Sequence, residues 1–189
     1  MRRRPPAPAP GEGDIAVAAQ LFDAHAAVLL GYLSKRVDAD TAADLVADTF
    51  ETVLGGATSH DPARGSERAW LFGIATNHLR HHLRSRTRER TALERTATRL
   101  GVAHRDADDE RVADRLSAAA LSAGLAREIE ALAPADRDLL LLISWAQLTP
   151  SEAAAALGIP AGTARSRLHR TRQHLRASLG ANELTGQEC

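Results

Sequence analysis

At 189 residues the chain can form one domain or two small ones, and 44% hydrophobic residues suffice for cores. Aromatics are only 3%, so alanine and leucine carry most of the apolar surface, which argues against sheets and for an all-α protein. The formal charge is zero, but arginines gather in 64 to 99 and 161 to 176 while acids gather in 38 to 51 and 106 to 114, so the neutral average hides patches. Cys189 is the only cysteine, which excludes an internal disulfide and a cysteine-based zinc site. No apolar run reads as approaching the roughly 20 residues that span a bilayer. The start, Met1-Arg-Arg-Arg-Pro-Pro, lacks the hydrophobic segment of a signal peptide. The expectation is a cytoplasmic protein with no membrane partner.

Residues 1–13, rich in Pro, Ala and Gly, read as a disordered tail. A helix is expected from Asp14 to about Arg36, with Leu21, Phe22, Val28, Leu29, Tyr32 and Leu33 as its core face. Asp38 and Asp40 offer caps for a second helix through Leu54, with Leu45, Val46, Phe50, Val53 and Leu54 apolar. On its other side Asp44, Asp48 and Glu51 stand at i, i+4 and i+7 and form one acidic stripe. That stripe is either a solvated face or a docking surface; nothing shifts one carboxylate relative to another as an acid/base pair requires.

Gly55 to Ser66 is a polar loop too long for a simple turn, hence a candidate functional loop. A third helix is expected from about Glu67 to Arg88. It turns Leu71, Ile74, Ala75, His78, Leu79 and His82 inward and Asn77, Arg80 and Arg84 outward, with Arg86, Arg88 and Arg90 beyond. His78, His81 and His82 crowd one turn without a nearby Cys or Asp, so no metal site is expected. Residues 91–118 lose periodicity and turn acidic at Asp106, Asp108, Asp109 and Glu110, which reads as a linker. A fourth helix is expected near Leu121 to Leu132, and Pro134 opens a fifth with Leu139, Leu142, Ile143 and Ala146 inward.

Residues 149 to 176 read as two short helices joined by a tight turn. Thr149 can cap the first, Pro150 fits its first turn, and Glu152 completes a capping box. Gly158 can take a left-handed conformation, and Pro160 cannot continue the first helix but can open the next. In the second helix Ala164, Leu168, Thr171 and Leu175 form one stripe. Opposite lie Arg165, Ser166, His169, Arg170, Gln173 and Arg176, with Arg167 and Arg172 on the flanks. Residues 161 to 176 hold five arginines and no carboxylate, a self-repelling face that a polyanion relieves. Its donors suit phosphates and base edges in a major groove.

Three stretches carry a family resemblance: Ala-Ala-Asp-Leu-Val-Ala-Asp-Thr-Phe at 42–50, Ala-Trp-Leu-Phe-Gly-Ile-Ala-Thr-Asn at 69–77, and Leu-Gly-Ile-Pro-Ala-Gly-Thr-Ala-Arg-Ser-Arg-Leu-His-Arg at 157–170. In order and spacing they resemble bacterial RNA polymerase sigma factors of the extracytoplasmic-function (ECF) group. The resemblance implies two small helical domains, a core-binding and minus-ten-recognition domain over 14–90 and a minus-thirty-five-recognition domain over 119–180, joined by the 91–118 linker and followed by a tail at 181–189. It implies that Arg165, Ser166, Arg167, His169, Arg170, Gln173 and Arg176 read or hold duplex DNA at the minus-thirty-five element. His60, Asp61, Arg64, Asn77, Arg80, His81 and Arg84 would take the unpaired non-template strand at the minus-ten element, with one base flipped into the loop.

Asp44, Asp48 and Glu51 would meet the clamp helices of the largest subunit of core RNA polymerase, with the second-subunit flap a further contact. The linker would thread toward the RNA exit path. An anti-sigma factor is a candidate partner; a cofactor and catalysis are not expected. The family usually has Gln-Glu where this chain has Ala47-Asp48, and Asp where His81 stands. Two competing readings remain at this level. One is a helix-turn-helix regulator that binds duplex DNA without core polymerase. The other is a decoy that binds an anti-sigma factor.

Overall fold

The computed structural model describes residues 12–55, 60–99 and 123–185. The regular elements among the described residues are all helices, with no strand among them. Helices α1 (Glu12–Leu33), α2 (Ala39–Leu54) and α3 (Glu67–Arg99) form an N-terminal unit, with a short 3-10 turn at Pro62–Arg64 before α3. Helices α4 (Ala123–Ala131), α5 (Pro134–Ser144), α6 (Pro150–Leu157) and α7 (Ala161–Thr185) form the C-terminal unit.

Local chemistry sets the boundaries. Asp38 caps α2, its Oδ1 accepting the Thr41 backbone N–H at 2.8 Å. Pro134 and Pro150 occupy the first turns of α5 and α6, where a missing N–H costs nothing. At the end of α6 Gly158 takes φ 66°, ψ 33°, and its N–H closes onto the last turn.

Helix α3 runs further than expected, to Arg99, so residues 91–99 are helix and not linker. Here the apolar repeat gives out but local bonds do not: Arg90 lies 3.5 Å from Glu94, and the Thr87, Thr91 and Thr96 hydroxyls each donate one turn back. The rest of the expected linker and Leu121 lie outside the described residues. Helix α7 likewise continues to Thr185, into the expected tail.

Tyr32, Leu29 and Leu33 of α1, Leu45 and Phe50 of α2, and Leu71, Phe72 and Leu79 of α3 are buried together. Two residues assigned to the α1 core are not: Phe22 is 50% and Val28 40% exposed. They lie on the flanks of a helix whose buried side is narrow, although the Phe22 ring still meets Phe50 edge-on at 5.0 Å. The bilayer reading also needs correction. Ile15–Leu33 is long and apolar enough to cross a membrane by length and composition, because alanines and leucines dilute Asp23 and His25. Its buried face, Ala18, Leu21, Leu29, Tyr32 and Leu33, is used to pack on α2 and α3.

The two units are not held apart. One contiguous core runs from Leu21 through Leu79 and on through Ile129, Leu139 to Leu142, Ala153, Leu168 and Leu175. The most extensive contact between helices joins α3 to α6, across the two units. The two expected helical units are both present, and in this conformation they pack against each other.

Replacing Gly158 with Ala puts a Cβ on a left-handed residue and is expected to destabilise the protein by about 1 kcal/mol. Chemical denaturation of the full chain measures it. Nothing lies within 4 Å of the added carbon, so a loss here reports backbone strain and not a clash.

Candidate nucleic-acid and polymerase interfaces

The turn between α6 and α7 is held at its start by a reciprocal pair. Thr149 Oγ1 accepts the Glu152 N–H at 3.2 Å, and Glu152 Oε2 accepts the Thr149 N–H at 2.9 Å. These bonds, the Thr149 backbone bond first, hold the Glu152 carboxyl below its ordinary pKa. With α6 fixed, α7 buries Ala164, Leu168, Thr171 and Leu175, the stripe read from the sequence. Arg165, Ser166, His169, Arg170, Gln173 and Arg176 are exposed and Arg167 is half-buried. Ser166 Oγ donates to the Thr163 carbonyl at 3.0 Å, which leaves its oxygen free to accept. The result is a convex helix face with several cationic donors and no carboxylate of its own.

A second polar surface surrounds the loop before α3. Asp61 caps the 3-10 turn, accepting the Ala63 N–H at 3.0 Å, and the turn carries Arg64. His60 Nε2 donates to the Gly65 carbonyl at 2.8 Å, fixing the tautomer. Gly65 has φ 142°, a conformation that side chains rarely adopt. Sequence reasoning missed Trp70, whose ring lies 5.8 Å from that of His60 and gives the loop an aromatic wall. A tryptophan one turn into a helix after a loop was the available signal.

Asn77, His81 and Arg84 are exposed along α3, in line with the expected outer face. His78 is not part of it; its Nε2 lies 2.8 Å from Thr52 Oγ1 and ties α3 to α2. Arg80 departs from expectation. It is half-buried, and its Nε donates to Asp138 Oδ2 of α5 at 2.7 Å. Asp138 also accepts from Arg36 Nη1 at 2.5 Å. Neither Arg36 nor Asp138 was singled out from the sequence, because Asp138 is 102 and 58 residues from its partners. The third surface, on α2, presents Asp44, Asp48 and Glu51 to solvent as one stripe.

A capped tight turn with an exposed basic second helix defines a helix-turn-helix DNA-binding protein. Comparison with known proteins narrows the class. Residues 21–89 match Sigma-70 region 2 and residues 123–175 match Sigma-70, region 4. The probable RNA polymerase sigma-C factor of Mycobacterium bovis is 34% identical over 157 residues, covering 83% of this chain and 78% of that protein. The ECF RNA polymerase sigma factor RpoE of Cereibacter sphaeroides is 32% identical, with 86% and 88% covered. The solved structure of CnrH in complex with the cytosolic domain of CnrY aligns with a TM-score of 0.58 at 27% identity, covering 89% of this chain and 91% of that one. The chain belongs to the ECF group of RNA polymerase sigma factors. It is a promoter-specificity subunit: it binds core RNA polymerase, recognises promoter DNA and takes part in transcription initiation.

Because folding depresses the Glu152 pKa below 4.5, its bonds stabilise the fold at pH above that ordinary value and are lost as pH falls through the depressed one. Urea unfolding at about pH 6 and about pH 3 should therefore show a smaller acid-induced loss in Glu152→Gln than in the parent. The difference should be modest, since the group is largely solvated and screened.

Proposed function

We propose that the three surfaces divide the work of initiation among themselves. Arg165, Ser166 and Arg170, with His169 and Gln173, read base edges of the minus-thirty-five element in the major groove, while Arg167 and Arg176 hold phosphates. His60, Asp61, Arg64, Asn77, Arg80, His81 and Arg84 take the unpaired non-template strand of the minus-ten element. The Trp70 ring beside His60 supports this reading as a surface on which a base can stack. Holding bases outside the stack makes re-pairing costly, so binding itself favours the melted state. Asp44, Asp48 and Glu51 dock on the clamp helices of the largest polymerase subunit.

The units at 14–90 and 119–180 are the functional domains, and the chain makes and breaks no bonds itself. It works in the cytoplasm, where its template is. CnrH was solved with the cytosolic domain of CnrY. A sigma factor RpoE of similar fold was solved with the anti-sigma factor NepR from Bartonella quintana, and by analogy a polypeptide of that class binds this chain. The observation that carries the reading is the exposed basic face of α7 behind its buried stripe, set by the capping box of α6. A regulator that binds duplex without polymerase would have no use for the region-2 half of the chain.

Arg165→Ala should lower discrimination at the upstream element by about 1–3 kcal/mol, roughly 5- to 150-fold, and leave core binding intact. Competition binding of reconstituted holoenzyme to promoter variants measures it. Asp48→Lys should weaken association with core polymerase, with a steeper loss at low salt, and leave duplex discrimination unchanged. The reverse pattern overturns the assignment.

A further inference from the structure

The buried stripe of α7, Ala164, Leu168, Thr171 and Leu175, contains one polar side chain. Thr171 is 5% exposed. The helical threonines Thr49, Thr52, Thr76 and Thr87 return their hydroxyls to the carbonyl one turn back, at 2.6 to 2.9 Å. Thr171 makes no such bond, and its hydroxyl has no partner among the described residues. Valine would fill the same space without a buried oxygen, so the hydroxyl points to a ligand outside the stripe.

Thr171 lines a cleft of about 510 Å³ between α7 and the corner where α4 gives way to α5. Asp136 of α5 and Arg167 and Arg170 of α7 line it too, and among the described residues none of the three is ion-paired. His174, at the same cleft, has its Nε2 3.9 Å from Glu128 Oε2 of α4. The start of α5 closes the other side. Ala133 stands at the N-cap and offers no side-chain bond, and Pro134 has no N–H. The Asp136 and Arg137 N–H groups both close on the Ala133 carbonyl, at 2.9 and 3.0 Å. That leaves the Ala135 N–H as the open donor of a helix end whose peptide dipoles carry partial positive charge.

A helix start is common and an exposed arginine more so. Here an open N–H, a buried unpartnered hydroxyl and two unpaired guanidiniums line one space, and all of them are donors. A tetrahedral oxyanion is the ligand whose oxygens accept from every one. Two arginines against one aspartate give the cleft a net charge of +1 with His174 neutral, which suits one singly charged phosphodiester. Asp136 opposes an anion and so holds its affinity down.

We propose that this cleft holds one phosphate group, with Thr171 Oγ1 and the Ala135 N–H as neutral donors and Arg167 and Arg170 as the charges. The inference rests on the assignment of α7 as the duplex reader made above. The cleft lies on the flank of α7, beside the exposed face that carries Arg165 and Ser166, so a backbone phosphate next to the minus-thirty-five element is in line with it. A free phosphate compound offers the same oxygens. A phosphate held here fixes the helix along the groove and adds affinity without base preference.

The test has two arms. In the first, reconstituted holoenzyme binds duplexes in which single backbone phosphates near the minus-thirty-five element are replaced by uncharged methylphosphonate. At one position the replacement should weaken the parent about three- to tenfold and Thr171→Val much less, because the partner hydroxyl is already gone. Thr171→Val should itself lower affinity by that factor equally for all promoter variants, unlike Arg165→Ala, and Thr171→Ser should restore it. In the second arm, inorganic phosphate is titrated into the free full chain at constant ionic strength. The amide resonance of Ala135 should shift saturably, more weakly in Thr171→Val and more tightly in Asp136→Asn, a gain that misfolding cannot produce.

Coupling at one backbone phosphate assigns the duplex as the source. Saturable titration of Ala135 without coupling at any phosphate assigns a free phosphate compound. Neither response, with Thr171→Val folded by circular dichroism, overturns the site, as does an Asp136→Asn that binds phosphate no better than the parent. Failure of the minus-thirty-five assignment looks different: Arg165→Ala leaves discrimination between promoter variants unchanged, while the Ala135 response to phosphate persists.

Discussion

Asp138 organises the conformation described above. It has one carboxylate at the C-terminal unit's apolar heart, immediately before Leu139 to Leu142, and two arginines from the other unit reach it. Burying a carboxylate alone is prohibitive, and burying it with one partner is often no better than an apolar pair. Two charge-assisted bonds at 2.5 and 2.7 Å satisfy both of its oxygens, so the cost of leaving water is offset only when both units are in place. The bridge ties α5 to α3 through Arg80 and to the segment after α1 through Arg36.

In the same core three buried hydroxyls have partners. Tyr32 meets Thr76 Oγ1 at 3.0 Å, and its phenol pKa is pushed up, first by burial and then by the nearby Asp138 charge. It stays neutral across the physiological range and behaves as a core residue with one polar handle. Thr49 and Thr76 return their hydroxyls to carbonyls one turn back, at 2.6 and 2.7 Å, so both sit inside the core without an orphaned donor. These pairings leave Asn77, Arg84, Arg165 and Arg170 on the outside.

The same helix serves two masters. Along α3, the inner side packs on α1 and α2, a second side at Gly73 and Arg80 receives the C-terminal unit, and the outer side keeps Asn77, His81 and Arg84. One segment thus carries the N-terminal fold, the end of the loop and the contact with the C-terminal unit. The low aromatic content fits this economy: Trp70 and His60 provide the one ring pair at the loop, while Tyr32 with Phe72 and Phe22 with Phe50 belong to packing.

Much of this was readable without coordinates, because helix boundaries and faces are local matters. Thr149, Glu152, Gly158 and the stripe Ala164, Leu168, Thr171 and Leu175 interact within a few residues, so spacing alone places them. The motif order likewise revealed the family. Misreadings came where neighbours in space, not in sequence, decide. Phe22 has the right period for a core but is only half covered, by Phe50 of α2, and Arg80 has the right period for a surface but is claimed by Asp138. Residues 91–99 continue α3 without an apolar stripe that would mark them. The sequence by itself determined an all-helical chain with a basic helix face and an acidic stripe, since those follow from propensity, capping and periodicity, while its sigma-factor character was legible as a resemblance carried by three motifs in order. Only the tertiary structure decided that the two units share a core through Asp138 and Gly73, because closing that contact depends on loop geometry and burial across tens of residues, which no local pattern encodes.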